Sequence, residues 1–313
     1  MAEWNILLTD GLEDNGQALL RHAARVDDRD GIRADELLQI AENYDAMIIR
    51  GRTKVNAEVM TAARRLKVVG RSGVGVDNID LEAAKAHQVL VVNTPTATSV
   101  AVAELAVGLM LALARAIPKG DAGMKKGEWL KKQLLGNELN GKTLGVIGMG
   151  HIGSAVATRA SAFNMEVLGY DPFLPPDVIG SRSAQPVSLD ELLASADFIT
   201  LHIPLNEETH NIISGEKIQK MKLGARIIST ARGGLIDEQA LLDALNSGHI
   251  AGAGLDVFAQ EPPGTTDLVT HPNVIAVPHI GAQTVEAQER AAVEISHEVL
   301  AALRGEPLRW RVS

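Results

Sequence analysis

The chain has 313 residues, of which 46 % are hydrophobic, and its 30 lysines and arginines against 39 aspartates and glutamates give a formal charge of −9. This length and composition indicate a globular protein of one large domain or two ordinary domains. Cysteine is absent, which excludes disulfides, cysteine-bound metals and a cysteine nucleophile, and favours a reducing compartment, here the cytoplasm. The acidic balance argues against nucleic-acid binding, and the longest uncharged apolar stretch, residues 105–114, is too short to span a membrane.

Short apolar runs separated by amphipathic stretches recur along the whole chain, which is typical of strand–helix alternation and of parallel sheets covered by helices on both faces. In the first third, we predict strands at 6–8, 46–49, 67–69 and 89–92, with helices at 56–63 and 80–86. Asp80 is the expected N-cap of the second of these helices. A long helix rich in alanine, leucine and valine is predicted for 99–117, where Pro118 breaks it.

A second series of apolar runs begins at Thr143, and it predicts strands at 144–147, 166–170, 198–203, 226–230, 253–258 and 274–277. Six strands is the count of a complete doubly wound dinucleotide-binding fold, whose usual strand order is 3-2-1-4-5-6. In that order the fourth strand of the series flanks the first, and the last three strands are neighbours. A final helix, 284–304, is predicted to cross back and cover the first domain.

A glycine motif, Gly148-x-Gly150-x-x-Gly153, follows a predicted strand and precedes an alanine-rich helical segment. Its glycines allow a tight turn, let the backbone approach a pyrophosphate and permit close helix–strand packing. The amides of His151 and Ile152 then form a helix N-terminus that faces anionic oxygens. A glycine motif alone is a weak signal, but here it has the strand and helix that a dinucleotide site requires.

Asp171 ends the next predicted strand. A carboxylate in that place can accept both ribose hydroxyls of NAD, and it repels the 2′-phosphate of NADP. Pro172 and Phe173 follow, so no arginine is at hand to accommodate such a phosphate. The sequence therefore predicts NAD as the cofactor.

Three chemically distinct side chains follow the last three predicted strands, namely Arg232, Glu261 and His279. Ligands of open α/β sheets bind outside the carboxyl ends of the strands, so we expect these side chains to converge there. Hydride transfer between a carbinol carbon and NAD needs a base, which His279 can supply. Glu261 then orients the imidazole, and Arg232 clamps a carboxylate in a bidentate manner. Each residue taken alone also fits an ordinary structural role.

Two further expectations concern histidine and metals. His202, inside a predicted strand, is expected to pack near the cofactor rather than to ionise. No HExxH or other metal-ligand spacing occurs in the sequence. Because hydride transfer to NAD requires no metal, we expect none.

Residues 50–71 carry seven lysines and arginines against Glu58 alone, a local charge of 7 − 1 = +6. Arg50 and Lys54 follow one predicted strand and Arg71 follows another, which favours contacts to a substrate phosphate. The segment Arg71-Ser72-Gly73-Val74-Gly75 can offer backbone amides as an anion nest for a carboxylate. Three of the other cations, Arg64, Arg65 and Lys67, are interpreted as a solvated surface.

Several of these segments together resemble the D-isomer-specific 2-hydroxyacid dehydrogenases, over essentially the full chain: 148–153, 170–172, 229–237, 254–263 and 278–282. Within that family, 69–80, 92–95 and 127–129 are most similar to the members that begin serine biosynthesis by oxidising D-3-phosphoglycerate. The resemblance implies two doubly wound domains. A Rossmann NAD domain, 95–282, is inserted into a flavodoxin-like substrate-binding domain made of 1–94 and 283–313.

The resemblance also implies roles for individual residues. Arg232 is the substrate clamp, Glu261 the orienting acid and His279 the proton donor and acceptor. Cofactor contacts are implied for His151, Ile152, Asp171, Thr230, the Ala231 carbonyl, Asp256 and Gly281. Lys131 is implied to reach a partner's active site in a homodimer formed through the long helix at 99–117 and the arm that follows it.

The chain departs from the family pattern at two points. Val74 stands between two glycines where many members have a small or hydroxyl residue, so a side-chain contact is lost there. The sequence ends at Ser313, without the regulatory domains that sense serine in many members, so we expect no serine inhibition through such a domain.

The leading hypothesis is NAD-dependent oxidation of D-3-phosphoglycerate to 3-phosphohydroxypyruvate. One alternative is a reductase of hydroxypyruvate, glyoxylate or another simple D-2-hydroxyacid pair on the same site. A remote alternative is an NAD-sensing corepressor that shares this fold and catalytic trio but acts by binding.

Overall fold

The computed structural model describes residues 4–313. They form two compact units, of which the first runs to Thr98 and resumes at Ala282, and the second is Ser99–Gly281. The strands are β1 (Asn5–Leu8), β2 (Arg25–Asp28), β3 (Ala46–Ile49), β4 (Val68–Arg71), β5 (Leu90–Asn93), β6 (Thr143–Ile147), β7 (Glu166–Tyr170), β8 (Gln185–Pro186), β9 (Phe198–Leu201), β10 (Ala225–Ser229), β11 (Ile250–Leu255) and β12 (Val274–Ala276). The helices are α1 (Asp14–Ala23), α2 (Ala34–Ile40), α3 (Ala57–Ala62), α4 (Leu81–Ala86), α5 (Ser99–Arg115), α6 (Ile117–Lys125), α7 (His151–Ala162), α8 (Pro176–Gly180), α9 (Leu189–Ser195), α10 (Gly215–Gln219), α11 (Glu238–Ser247), α12 (Asp267–Thr270) and α13 (Val285–Arg304).

The first unit contains a parallel sheet in the order β2-β1-β3-β4-β5. The central strand β3 is a fully buried aliphatic run, as expected for a parallel strand covered on both faces. One face of the sheet packs against α13, where Ile295 and Val299 meet Ile48 and Val68 in one core. The last long helix thus completes the core of the sheet that the first third of the chain forms.

Helices α1 and α13 approach each other closely. A Cβ on Gly16 would lie 2.7 Å from the carbonyl oxygen of Ala292, so glycine is required for this approach. The buried hydroxyl of Ser296 donates to the Gly16 carbonyl at 3.0 Å. Small residues therefore join the beginning and the end of the chain within one unit.

The second unit contains a parallel sheet in the order β12-β11-β10-β9-β6-β7-β8. Helix α5 covers one face, in a core that includes Met110 together with Val146 and Phe198. A second core, which includes Leu193, Leu241 and Leu255, fills another part of the unit. The predicted α/β fold with two parallel sheets is confirmed.

The assumed strand order needs one correction. We expected the strand at 226–230 to flank the strand at 144–147, but β9 pairs with β6 and β10 lies one strand farther away. The cause is β8, a two-residue edge strand that we did not predict. Counted as the third strand of the series, it moves every later strand up by one place in the usual order. Strands β10, β11 and β12 remain neighbours.

Strand β2 was also missed. Its sequence is RVDD, its side chains are partly or fully exposed, and it pairs with β1 at the edge of the sheet. Charged side chains suit an exposed edge, because they discourage pairing with other chains. They carry none of the apolar signal by which we predicted strands.

The long helix ends two residues before the predicted end. Ala116 adopts a left-handed conformation with φ 49° and separates α5 from α6, whose first turn holds Pro118. The N–H groups of a helix's first turn have no partner within the helix, so a proline there costs no hydrogen bond. Pro118 therefore lies at the start of α6 and does not break a helix. Within residues 4–313 no single helix is long and apolar enough to cross a membrane, and α5 and α6 pass that test only as a pair bent by 66°.

Candidate active site

The carboxyl ends of the parallel strands share one edge of the second unit's sheet. At the last paired positions Ser229 of β10 lies beside Leu255 of β11, and Leu255 lies beside Ala276 of β12. The loops that carry Arg232, Glu261 and His279 leave these neighbouring strands. The arrangement matches the expectation that their side chains start from one edge of the sheet.

The glycine loop after β6 leaves no room for a side chain at Gly148 or at Gly153. A Cβ on Gly153 would lie 1.9 Å from the carbonyl oxygen of Gly148, and Gly148 itself has φ +94°. Helix α7 begins at His151, and its N-cap, Gly150, provides no side-chain cap. The N-cap residue therefore adds no carboxylate or hydroxyl at the positive end of the helix, which suits a pyrophosphate.

Asp171 follows β7 and shapes the same loop. Its two carboxylate oxygens accept hydrogen bonds from the amides of Met149, at 2.8 Å, and Phe173, at 2.9 Å. A carboxylate has about four acceptor positions, so capacity for ribose hydroxyls remains. Arg182, which the sequence analysis did not consider, donates to the Met149 carbonyl next to this carboxylate.

Thr230 adds a polar group to this edge. Its hydroxyl is buried and has no hydrogen-bond partner within the described residues 4–313. Together with the glycine loop, the uncapped helix and Asp171, it fits a ligand that carries both phosphate and hydroxyl groups. The residues of the unit thus fit a dinucleotide.

Asp256 fixes the backbone that directly follows His279. This carboxylate, 1 % exposed, accepts the amides of Ile280 at 2.6 Å and Gly281 at 2.9 Å. Burial raises the pKa of Asp256, although the two amide hydrogen bonds oppose the shift. The backbone of His279 is left-handed, with φ 52°. The hydrogen bonds from the next two amides to Asp256 help to maintain this conformation.

The central contact of the site joins Glu261 and His279. Oε2 of Glu261 lies 2.8 Å from Nδ1 of His279, and Oε1 accepts the amide of Phe258 at 3.1 Å. Because a carboxylate oxygen accepts, Nδ1 carries a proton and Nε2 is left to exchange a proton with another molecule. The imidazole side chain is 49 % exposed, so such a molecule can reach it.

Arg232 lies on a loop that touches the Glu261 loop through the backbone. A Cβ on Gly233 would lie only 1.8 Å from the carbonyl oxygen of Phe258. Nη1 of Arg232 donates to the Ala231 carbonyl at 2.7 Å. Close contact between the two loops keeps a guanidinium and a carboxylate–imidazole pair in one region of the sheet edge.

His202 fits the expectation that it does not ionise. Burial lowers its pKa to about 3, and its Nε2 lies 2.9 Å from Oγ1 of Thr200. The ring is therefore neutral at pH 7. A Cβ on Gly148 would contact the backbone of His202 at 2.6 Å, which places this histidine beside the glycine loop.

In the first unit, the loop after β3 carries Arg50 and Lys54. Nη2 of Arg50 lies 3.2 Å from Oε1 of Glu13, whereas Lys54 is exposed. The loop is fixed by Asp10, whose carboxylate accepts the amides of Arg50, at 2.8 Å, and Thr53, at 3.1 Å. Asp10 follows β1, so the strand-end rule that selected the catalytic trio would also have selected it.

The loop after β4 is more compact than we expected. The guanidinium of Arg71 occupies the place of a Cβ on Gly73, at 1.4 Å. The amide of Ser72 donates to the carbonyl oxygen of Ile49, and the amide of Gly73 donates to the Thr94 hydroxyl at 2.8 Å. The predicted anion nest is therefore narrower than the whole segment, and Val74 and Gly75 are its remaining candidates.

The remaining predicted residue, Lys131, lies exposed in the segment after α6, apart from any helix or strand. Among residues 4–313 no group of three or more histidine, aspartate or glutamate side chains is placed to hold a metal ion.

Comparisons with known proteins agree with this geometry. The model of the D-isomer specific 2-hydroxyacid dehydrogenase, NAD binding domain, matches residues 107–281. A curated relative, D-3-phosphoglycerate dehydrogenase from Methanocaldococcus jannaschii, is 49 % identical over 302 residues, which are 96 % of this chain and 58 % of the relative. The chain thus spans little more than half the length of that relative.

Two crystal structures resemble the whole chain. A protein from Thermus thermophilus has a TM-score of 0.91 and 39 % identity, over 99 % of this chain and 100 % of the other. A glyoxylate reductase from Paecilomyes thermophila has a TM-score of 0.90 and 33 % identity, over 100 % and 99 %. The chain therefore belongs to the D-isomer specific 2-hydroxyacid dehydrogenases, and its second unit contains their NAD-binding domain.

Proposed function

We propose that the protein oxidises D-3-phosphoglycerate to 3-phosphohydroxypyruvate with NAD. The observation that carries a hydroxyacid dehydrogenase activity is the 2.8 Å contact between Glu261 and His279, beside the loop of Arg232. The substrate is supported by relatives such as the M. jannaschii enzyme, 49 % identical and named D-3-phosphoglycerate dehydrogenase.

In the proposed mechanism, Nε2 of His279 takes the proton of the substrate's 2-hydroxyl group. Glu261 holds the opposite ring nitrogen and stabilises the imidazolium that results. Arg232 binds the substrate carboxylate and the developing carbonyl oxygen through its planar fork of donors. Bound NAD would supply the acceptor for the hydride that leaves the carbinol carbon. In the reverse direction His279 returns the proton to the carbonyl oxygen.

We further propose that the first unit binds the substrate and the second the cofactor. Arg50, Lys54 and Arg71 then contact the phosphate, and the amides of Val74 and Gly75 contact the carboxylate. Within the second unit, Gly148–Gly153, Asp171, Thr230, the Ala231 carbonyl, Asp256 and Gly281 contact NAD. We assign the enzyme to the cytoplasm, where a phosphorylated three-carbon acid and NAD are at hand.

A second candidate is reduction of an unphosphorylated 2-oxo acid such as glyoxylate or hydroxypyruvate. The ion pair between Arg50 and Glu13 favours it, because a guanidinium already paired with a carboxylate attracts a phosphate less strongly. The similarity to a glyoxylate reductase, at 33 % identity, also supports this second candidate.

We also propose a homodimer formed through α5, α6 and the segment after them. Several large apolar side chains of this region are exposed in the single chain: Val100, Ile117, Met124, Trp129 and Leu135, the last at 96 %. Such a concentration of exposed apolar groups is typical of a surface that a partner covers.

The first prediction concerns the proton acceptor. His279→Ala is expected to lower kcat for the 2-hydroxy acid by about 10² to 10⁴, the usual contribution of general acid–base catalysis. NADH formation at 340 nm measures it, and His22→Ala, at an exposed position of α1, is the matched control. An unchanged rate of hydride transfer in a single turnover would contradict the assignment.

The second prediction concerns cofactor selectivity. Asp171→Asn keeps an acceptor for one of the two loop amides and removes the charge that repels a 2′-phosphate. The ratio of kcat/KM for NADP to that for NAD should rise roughly tenfold or more, which corresponds to about 1.4 kcal/mol. Asp177→Asn, in α8, provides the control. A ratio that does not change would refute the ribose assignment.

The third prediction separates the two candidate substrates. Lys54→Ala and Arg50→Ala should each raise KM for D-3-phosphoglycerate about 10- to 100-fold, as expected when a charged hydrogen bond is lost. KM for hydroxypyruvate should stay within about twofold. Arg64→Ala, from the same basic segment, is the control. Equal effects on both substrates would favour the reductase.

The fourth prediction concerns assembly. Trp129→Ser should weaken the dimer about 30-fold or more in sedimentation equilibrium, since a buried tryptophan commonly contributes about 2 kcal/mol or more to an interface. Leu223, 81 % exposed, lies outside the proposed interface, so Leu223→Ser should leave the dimer intact. A monomeric wild-type protein would disprove the dimer.

A further inference from the structure

The position of Glu261 depends on the backbone of its loop. The residue lies outside any helix or strand, and its side chain is 37 % exposed. Packing alone therefore does not hold it. One oxygen is held by the Phe258 amide within the same loop, and the other holds the His279 ring. Whatever fixes this loop also fixes the direction of the imidazole.

A second carboxylate holds the same loop from outside. The amide of Ala259, next to Phe258, donates to Oε1 of Glu238 at 2.6 Å. Glu238 is the first residue of α11, a helix that Leu241 and Leu245 anchor in the core. Two successive amides of the loop are thus bound by two carboxylates. Glu261 comes from the loop itself, and Glu238 comes from a firmly packed helix.

Glu238 stands where the Glu261 loop meets the Arg232 loop. A Cβ on Gly233 would lie 1.8 Å from the Phe258 carbonyl oxygen and 2.6 Å from the Ala259 nitrogen. Glu238 and Arg232 also line one small cavity of about 10 Å³. The hydrogen bond from Ala259 therefore fastens one catalytic loop beside the other.

A role as a helix-terminal acid does not account for this contact. An acidic residue in the first turn of a helix is favoured by the helix dipole wherever its side chain points. Glu191 and Glu216 occupy such first-turn positions in α9 and α10. Glu238 does more, because its carboxylate accepts a short hydrogen bond from a loop 21 residues farther along the chain.

We propose that Glu238 is a positioning residue, which accepts the Ala259 amide and thereby keeps the Glu261–His279 pair aligned with the substrate at Arg232. It acts through Glu261 and exchanges no proton with the substrate. This inference rests on the proposed roles of Glu261 and His279.

Two variants test the hydrogen bond itself. Glu238→Ala removes the acceptor, and a displacement of the catalytic pair by about 1 Å can lower the rate about 100-fold. We expect kcat for D-3-phosphoglycerate, measured from NADH formation, to fall roughly 10- to 100-fold. Glu238→Gln keeps an amide oxygen that can accept the Ala259 N–H, so its kcat should stay within about threefold of the wild-type value.

The matched control is Glu191→Ala, which removes an exposed first-turn glutamate of α9. It should leave kcat unchanged. A role in folding alone would lower the melting temperature of Glu238→Ala without a selective loss of kcat. The proposal therefore requires that KM for NAD, the Kd for NADH from its fluorescence and the melting temperature stay close to the wild-type values.

A double-mutant cycle tests whether Glu238 acts through the histidine. In a His279→Ala background, Glu238→Ala should reduce the remaining rate by less than about twofold, because residues that act as one unit are not additive. Additive losses would overturn the proposal, as would a Glu238→Gln variant as slow as Glu238→Ala. If His279→Ala alone has wild-type turnover, the proposed function fails, and that outcome is distinct from a failure confined to Glu238.

Discussion

The parallel direction of the strands is the constraint on which the rest of the molecule depends. The named strands of both sheets pair in parallel, so each sheet collects all its carboxyl ends on one edge. In the second unit this edge receives the glycine loop, Asp171, Arg232, Glu261 and His279, which are far apart in sequence. Each sheet is covered by helices on both faces, so its strands consist mainly of buried apolar residues. Polar functional side chains can therefore be accommodated only beyond the strand ends.

Much of this edge could be predicted from the sequence, because glycine spacing and the residue type at a strand end are local properties. The strand order could not be predicted correctly, because β8 has only two residues and gives no apolar signal. The contact of Glu238 with Ala259 was missed for a related reason. A glutamate at the start of a helix looks the same in sequence whether it faces solvent or a catalytic loop, and its partner comes from a different part of the fold.

Charge shows the same limit of sequence reasoning. The segment 50–71 is strongly basic, yet in the fold three of its arginines, Arg50, Arg52 and Arg65, meet carboxylates from elsewhere. Arg50 lies 3.2 Å from Glu13, and Arg65 lies 3.1 Å from Asp45. Partners 37 and 20 residues away in the chain cannot be identified from composition. The local excess of positive charge is therefore larger than the positive electrostatic potential that a phosphate would meet. The exposed Lys54 is the stronger candidate for a phosphate contact than Arg50, which is paired with Glu13.

The joining of α1 to α13 bears on how the chain folds as it leaves the ribosome. The sheet face formed by Ile48 and Val68 is covered by Ile295 and Val299, which are synthesised only after the whole of Ser99–Gly281. The second unit is continuous and can complete its core during synthesis, since domains generally fold as units in the order in which they emerge. The first unit must wait with one apolar face uncovered. Until α13 is synthesised, this apolar face is exposed to aggregation and to chaperone binding.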